Sequence, residues 1–398
     1  MNIYYLNKTN RPEGPSSKVF GSPETFFQKG FWSPKATSSA SGGQLFEKSW
    51  TKTFVLHGCF ILRFSNRLFR LVINSGFILT GLLTLSLLLN IACTRDKPGK
   101  KKENPFEYDL TRLRKVDPAL IKYSEVQQIK IDLKTLNALA VDSDDNIYVT
   151  GDTSLLILKS NGQTVSRIAL DEPATCITIG TNKQIFLGMT DHVETYDSSG
   201  SRKNTWDRLN KRAIITSIAL TQSDSDSDDV FVADAGNQVV LRYNTSGKLL
   251  RRIGEKDPAR DIPGLIVPSP YLDVAIGYEG YLWVVNPGRH SLENYTRDGT
   301  LRSSWKKASM SIEGFCGCCN PTHIAILPNG SFVTSEKGLP RVKILNQSGD
   351  LTAVVAGPEH FKEGAVGLDL AVDSTGRILV LDPSAGVVRI FKKNRNEK

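Results

Sequence analysis

Six segments of the chain repeat one pattern, and this repetition constrains the fold more than any other feature. Each segment has a short apolar run, a polar turn and a second apolar run. The segments begin at Ala138, Cys176, Ser217, Asp273, His323 and Asp369, so successive starts are 38 to 56 residues apart. This spacing is typical of four-stranded propeller blades. The sequence therefore predicts an all-β fold, a six-bladed β-propeller.

Glycine-containing turns recur later in the repeats and support the same fold. They are Asn161-Gly162, Ser199-Gly200, Ser246-Gly247, Asp298-Gly299 and Ser348-Gly349. We expect each to join the third and fourth strands of a blade, with glycine supplying a positive φ. The sixth repeat ends after V-V-R-I-F-K-K without such a turn. The strand-like stretch Ser124 to Leu133 is predicted to supply its missing outer strand, which would close the ring.

The third repeat, V-F-V-A-D-A-G-N-Q-V-V-L-R-Y-N-T-S-G-K over residues 230–248, resembles the NHL repeat. The shared pattern is a strand, an Asp, a Gly-Asn turn, a second strand and a Gly turn. The resemblance covers roughly residues 124–393 and implies a six-bladed propeller. It implies no single activity, because related propellers serve as binding platforms, lyases, hydrolases and scaffolds.

An uncharged apolar run over residues 71–92 is long enough to span a bilayer. It follows Arg63, Arg67 and Arg70, and Cys93 comes directly after it. One interpretation is an uncleaved anchor, and the other is a secretory signal. The ending L-N-I-A-C resembles a bacterial lipoprotein signal, which implies lipidation of Cys93, although the signal pattern prefers Leu at Asn90.

These features predict four regions. Residues 1–62 are a disordered or mis-annotated N-terminal extension, 63–93 a signal peptide or hydrophobic anchor helix, 94–118 a basic tether and 119–398 the NHL-type propeller. The protein is expected to be membrane-anchored and extracytoplasmic, either periplasmic or at the cell surface. The net charge of +9 comes largely from basic stretches around the apolar run, and no long basic face with interleaved aromatics indicates nucleic-acid binding.

The first strand of each blade lines the channel of a propeller, so the residues that open these strands should gather near one mouth. This predicted channel ring comprises Ala138, Cys176, Ser217, Asp273, His323 and Asp369. Asp273, His323 and Asp369 would come from three neighbouring blades and form a candidate site. The alternative is structural, since Asp often binds turn amides and a channel His is often only hydrogen-bonded.

The stretch F-C-G-C-C-N-P-T-H over residues 315–323 concentrates reactive side chains just before the fifth inner strand. Cys316, Cys318, Cys319 and His323 are candidate ligands for zinc or copper, although C-x-C-C-x3-H is not a standard zinc spacing. The adjacent Cys318 and Cys319 are expected to point in different directions. A structural disulfide and inert thiols are the alternatives, and the sequence identifies no definite cofactor.

Two functional hypotheses follow. The first is an exported, membrane-tethered propeller that acts as a binding or scaffold module for a protein or small-molecule ligand at its face. The second is a metal-dependent or redox enzyme, or an electron-transfer protein, with the Cys/His site at the channel mouth. Glu336, Lys337 and Arg341 could line the same mouth and bind an anion, or form a solvated turn. Neither a phosphate-binding G-x-x-x-x-G-K-[ST] loop nor a G-x-S-x-G elbow is present.

Overall fold

The computed structural model describes residues 111–221 and 228–395. The predicted signal or anchor over 63–93, Cys93 and the extension over 1–62 lie outside the described residues. Within the described ranges, no helix is long and apolar enough to cross a membrane. The helices in these ranges are four short 3-10 turns, Pro118–Leu120, Pro258–Arg260, Pro287–Arg289 and Pro358–His360.

The described residues form six antiparallel sheets of four strands, which are the blades of a propeller. The strand β1 (Tyr123–Lys130) comes first in the chain and belongs to the last sheet. The first blade comprises β2 (Ala138–Val141), β3 (Ile147–Gly151), β4 (Ser154–Leu158) and β5 (Thr164–Ala169). The second comprises β6 (Cys176–Ile179), β7 (Ile185–Gly188), β8 (Val193–Tyr196) and β9 (Arg202–Thr205). The third comprises β10 (Ile215–Leu220), β11 (Asp229–Asp234), β12 (Val239–Asn244) and β13 (Leu249–Ile253).

The remaining three blades follow the same order from the innermost strand outward. The fourth comprises β14 (Val274–Ile276), β15 (Leu282–Asn286), β16 (Ser291–Tyr295) and β17 (Leu301–Lys306). The fifth comprises β18 (His323–Ile326), β19 (Phe332–Glu336), β20 (Arg341–Leu345) and β21 (Leu351–Ala356). The sixth comprises β22 (Leu370–Val372), β23 (Ile378–Asp382), β24 (Val387–Lys393) and β1. The predicted all-β, six-bladed architecture is confirmed.

In the sixth blade, β1 pairs antiparallel with β24, from Tyr123 opposite Lys393 to Lys130 opposite Val387. Arg389 adds an ion pair across this seam, with its Nη1 3.2 Å from Glu125 Oε1. The outer strand of the sixth sheet therefore comes from the chain that precedes the first blade.

Turn chemistry explains why the strands end where they do. The glycines of all five predicted turns, Gly162, Gly200, Gly247, Gly299 and Gly349, have φ between 80° and 90°. This is the left-handed region that glycine enters without steric cost, so the predicted turns are confirmed. A turn between the first two strands of a blade uses a carboxylate: Asp142 Oδ1 accepts hydrogen bonds from the backbone N–H groups of Asp144 and Asn146. Such bonds favour a turn over continued strand.

Apolar side chains fill the spaces between neighbouring blades and hold the inner strands around the channel. Trp283 of the fourth blade meets Phe332 of the fifth edge to face, with ring centroids 4.7 Å apart. Trp206 packs between Phe186 and Tyr243, which belong to the second and third blades. Burying one such side chain contributes roughly 1.5–3 kcal/mol.

Gly151 lies at the end of β3 and packs closely against the chain that precedes β2, the first inner strand. A Cβ at this position would overlap the carbonyl oxygen of Thr135. Because a backbone atom cannot move aside as a side chain can, we expect Gly151→Ala to lower the free energy of unfolding by more than about 2 kcal/mol. Urea denaturation of the full-length protein, followed by tryptophan fluorescence, measures this loss.

Gly180→Ala is the matched control. The nearest atom to its added Cβ is Asn182 Oδ1, a side-chain atom at 3.1 Å. This variant should lose less than about 1 kcal/mol. Equal losses in the two variants would contradict the close backbone contact at Gly151.

Candidate functional site

The six innermost strands surround a central channel. Each of them, β2, β6, β10, β14, β18 and β22, pairs with another strand on one side only. The other edge of each strand therefore turns backbone N–H and C=O groups towards the channel. Residues of all six strands, or directly adjoining them, line a cavity of about 230 Å³.

The structure brings five of the six predicted ring residues to the wall of this cavity. These are Cys176, Ser217, Asp273, His323 and Asp369. The sixth, Ala138, packs instead in the apolar cluster between the first and second blades, and Leu139 after it lines the cavity. Burial raises the pKa of the Cys176 thiol, so this cysteine is a neutral part of the wall.

Asp273 and Asp369 each bridge two neighbouring blades. Asp273 Oδ2 accepts a hydrogen bond from the N–H of Ile324 at 2.7 Å, and Asp369 Oδ2 accepts one from Leu139 at 2.7 Å. Their Oδ1 atoms accept from the next residue of their own strands, Val274 at 2.9 Å and Leu370 at 2.8 Å. Both carboxylates thus have a structural role, which was one of the two alternatives for these residues.

His323 lies between these two carboxylates. Its Nδ1 atom is 3.4 Å from Asp369 Oδ1 and 3.7 Å from Asp273 Oδ2. Both distances exceed the 2.7–3.2 Å typical of hydrogen bonds, so no hydrogen bond fixes the imidazole to either carboxylate. The Tyr271 ring also contacts the imidazole, in an edge-to-face arrangement with 6.0 Å between the ring centroids.

The carboxylates in this wall are shielded from water. Burial raises the pKa of Asp273 to about 6, and the negative charge of Asp369 acts in the same direction while His323 opposes both. Burial also raises the pKa of Asp369. Two carboxyl groups with raised pKa values therefore face one imidazole in a cavity lined otherwise by uncharged side chains. Such a site favours a cation, which would replace the lost solvation.

The candidate metal ligands do not come together as a set of four. Cys316 is buried, with its Sγ 3.6 Å from Arg341 Nη2. Cys318 and Cys319 have their Sγ atoms 3.1 Å apart, so the expectation that they point in different directions was wrong. Among residues 111–221 and 228–395, no group of three or more His, Cys, Asp or Glu has a geometry that would hold a metal ion. The four cysteines in these ranges are free thiols, so the structure contains no disulfide of the kind considered from the sequence.

Glu336 and Arg341 neither line the channel mouth nor form a solvated turn, and both interpretations were wrong for them. Each is about 1% exposed or less, and Arg341 Nη2 lies 2.5 Å from Glu336 Oε2. Lys343, equally buried, places its Nζ 2.9 Å from Glu336 Oε1. The two cations also donate to the carbonyl oxygens of Ile312 and Gly314, in the loop before the fifth inner strand.

Sequence reasoning did not single out Lys343. The available signal was the alternation in R-V-K-I-L over β20, which puts Arg341 and Lys343 on the same face of the strand. Glu336 stands directly opposite Arg341 in the pairing of β19 and β20. Lys337, by contrast, lies over the Tyr271 ring at 4.6 Å and donates to Ser269 Oγ at 2.8 Å.

Comparisons with known proteins match no protein family and no curated protein. Among solved structures, a streptogramin B lyase is 9% identical, with a TM-score of 0.49 over 70% of this chain and 100% of that one. Virginiamycin B lyase from Staphylococcus aureus is 13% identical, with a TM-score of 0.47 over 69% and 89%. The WD40 β-propeller domain of Doa1 is 16% identical, with a TM-score of 0.48 over 65% and 79%. At such values these similarities carry no information on activity, and the propeller assignment rests on the sheet topology.

The raised pKa of Asp273 predicts a pH-dependent stability. The folded-state pKa of about 6 lies above the ordinary value of 3.8, so the folded state holds the proton more tightly. The tighter binding of this proton stabilises the folded state. This stabilisation is fully present below pH 3.8 and is lost as the pH rises through 6. Relative to Asp273→Asn, the wild-type unfolding free energy should fall by about 2 kcal/mol between pH 4 and pH 7.

Urea titrations of both full-length proteins at several pH values measure this difference. Hydrogen bonds lost in the variant shift the two stabilities by a constant, so the change with pH reports the titration of Asp273 together with its coupling to Asp369 and His323. A difference that stays the same from pH 4 to pH 7 would show that Asp273 is not shielded from water in the folded protein.

Proposed function

We propose that the protein is an exported, membrane-tethered binding module whose ligand presents a cationic group to the channel. The observation that carries this proposal is the pairing of Asp273 and Asp369 around His323 in the wall of one cavity. Their backbone hydrogen bonds fix the carboxylates in place before any ligand arrives, so little ordering is needed on binding.

The charges of the site favour a cation over an anion. Two buried carboxylates with raised pKa values are costly to keep ionised in the folded protein. An ammonium group beside them would offset that cost and would donate hydrogen bonds to the carboxylate oxygens. Ser217 Oγ and Cys176 add only neutral groups to the same wall.

The size of the cavity limits what can enter. Pockets for drug-sized molecules usually measure about 300–1,000 Å³, whereas this one measures about 230 Å³. A small amine fits this space, as does the cationic end of a larger molecule held at the propeller face. The proposed ligand is therefore a primary ammonium group on a small molecule or on a protein partner.

The location of the protein is proposed from its N-terminal sequence. Arg63, Arg67 and Arg70, the apolar run over 71–92 and Cys93 have the order of a lipoprotein signal. The basic stretch after Cys93 would tether an NHL-type propeller outside the cytoplasmic membrane, in the periplasm or at the cell surface. A retained transmembrane anchor is the alternative for the same run.

The metal-dependent alternative has less support. Zinc or copper held by Cys316, Cys318, Cys319 and His323 would require Cys316 to leave Arg341, and this buried contact instead directs its sulfur away from a shared site. Binding of a cationic ligand needs no such rearrangement.

Titration of the full-length protein with methylammonium chloride tests the cation site. We expect binding with a dissociation constant of roughly millimolar, detected as shifts of the His323 ring signals in NMR spectra. Tetramethylammonium, which has no N–H group, should bind at least tenfold more weakly.

Asp369→Asn and Asp273→Asn should each weaken methylammonium binding by at least tenfold, because each removes one charge from the site. Glu279→Gln, on an exposed side chain, is the matched control and should bind as the wild type does. Unchanged binding in both channel variants, with their folds intact by circular dichroism, would overturn the proposal.

Metabolic labelling with palmitate in a bacterial host tests the membrane tether. Cys93→Ser should abolish the label, because lipid would have no thiol to attach to, while the uncleaved apolar run keeps this variant in the membrane fraction. Cys59→Ser is the control and should retain the label. A wild-type protein that reaches the membrane fraction without label would instead indicate the uncleaved anchor.

A further inference from the structure

Two adjacent thiols in the loop before the fifth inner strand are in direct contact. Cys319 Sγ lies 3.1 Å from Cys318 Sγ. Cys318 is exposed, whereas Cys319 is only 1% exposed. A reagent in solution can therefore reach the Cys318 sulfur, whereas the Cys319 sulfur is buried next to it. This is the arrangement of an attacking and a resolving thiol.

The loop separates this pair from the third cysteine. Gly317 has φ of +77°, which is a left-handed conformation that reverses the chain between Cys316 and Cys318. Cys316 thereby faces inward and lies against the guanidinium of Arg341. The chain thus directs Cys316 into the buried charge cluster and leaves Cys318 and Cys319 as neighbours.

The residue after the pair is held firmly. The side-chain amide of Asn320 donates to the carbonyl oxygens of Cys316 at 2.6 Å and Lys337 at 3.0 Å. Its Oδ1 accepts from the N–H of Lys337 at 2.9 Å. His290 Nδ1 lies 3.0 Å from the Asn320 carbonyl oxygen. These bonds fix the backbone on one side of the dithiol and keep the two sulfurs close.

Electrostatics at the pair act in two directions. The pKa of the Cys318 thiol is raised, because its hydrogen bond and contact with Cys319 outweigh the opposing charge of the Lys337 ammonium group. Lys337 is itself fixed by Ser269 and by the Tyr271 ring. Its charge therefore offsets only part of the rise, and Cys318 attacks disulfides through the fraction of the thiol that is ionised.

We propose that Cys318 and Cys319 form a thiol–disulfide exchange site whose co-substrate is a disulfide from solution. The Cys318 thiolate attacks one sulfur of that disulfide, forms a mixed disulfide and releases the first thiolate. The Cys319 thiolate then attacks the Cys318 sulfur, forms the Cys318–Cys319 bond and releases the second thiolate. The two cysteines lose two protons and two electrons, and the co-substrate is reduced to two thiols.

The product is a ring closed across a single peptide bond. The sulfurs must approach from 3.1 Å to a bond length of about 2.05 Å, and the short ring twists the linking peptide. Strained disulfides are more easily reduced than structural ones, so the reaction runs readily in both directions. This inference is independent of the cation site, because it uses none of the channel carboxylates.

The full-length protein is first reduced and then incubated with oxidised glutathione. Free thiols are blocked with iodoacetamide, and the tryptic peptide over residues 308–337, which contains all three loop cysteines, is fragmented in a mass spectrometer. We expect Cys316 to be alkylated and Cys318 and Cys319 to be joined, which gives a peptide with one alkyl group and two hydrogens fewer, whereas the fully reduced peptide carries three alkyl groups. Reduced glutathione in excess should restore both thiols.

Two variants separate the roles of the thiols. Cys319→Ser should accumulate a glutathione adduct on Cys318, because no resolving thiol remains. Cys318→Ser should give at least a tenfold smaller yield of adduct on the buried Cys319. Cys176→Ser is the matched control and should form the Cys318–Cys319 bond as the wild type does.

Three results would overturn the proposal. They are a bond from Cys316 to either neighbour, a mixed disulfide that persists on wild-type Cys318, and thiols that stay reduced in the folded protein. Circular dichroism of each sample establishes that the propeller is folded before the thiols are assigned.

Discussion

The unpaired inner edge of each innermost strand is the constraint on which the channel depends. A β-strand at an edge presents N–H and C=O groups that need partners. Here Asp273 and Asp369 accept N–H groups from the neighbouring blade, and Ser217 Oγ lies 3.3 Å from the N–H of Val274. These bonds join blades across the channel wall, where sheet pairing stops. The charge of the candidate site is therefore a consequence of how the ring is held together.

The fifth blade has a second constraint, a buried excess of positive charge. Arg341 and Lys343 share one carboxylate, Glu336, and burial lowers the pKa of Lys343. Removing charged groups from water is costly unless their hydrogen bonds are satisfied. The carbonyl oxygens of Ile312 and Gly314 supply the missing acceptors. Because these oxygens belong to the loop that carries Cys316, the buried cations also fix the path of the thiol loop.

The sequence predicts periodic features of this fold well. The six repeats and the Gly turns depend on local chemistry. Alternation of apolar and polar residues in a short stretch predicts a strand, and a glycine predicts a turn with positive φ. The channel ring follows from the same alignment, because equivalent positions of equivalent strands face the same axis. Ala138 departs from it because the small side chain packs between blades while Leu139 takes its place at the cavity.

Contacts between residues that are distant in the sequence cannot be predicted from local patterns in the same way. A stretch such as S-E-K-G-L-P-R-V-K usually indicates a solvated turn, but its two strands lie inside a blade and the loop over 311–316 covers them. Only that cover makes Glu336 and Arg341 a buried pair. Likewise, the contact of Cys318 with Cys319 depends on the Gly317 reversal and on the bonds of Asn320, which link residues 17 positions apart.

The thiol pair and the channel are close in sequence but separable in chemistry. Between Cys319 and His323, the chain is tied to β19 and to the residue that follows it. Asn320 binds Lys337, and the Thr322 N–H and hydroxyl both donate to the Ser335 carbonyl oxygen, at 2.8 Å and 3.1 Å. These bonds anchor the chain just before the inner strand, where Ile324 is held by Asp273. A twist of the peptide between Cys318 and Cys319 would meet these bonds before it reached the imidazole along the backbone, and the Tyr271 ring, which contacts both Lys337 and His323, is the other link between the two sites. The bonds of Asn320 and Thr322 thus hold His323 beside the two carboxylates next to the proposed thiol site.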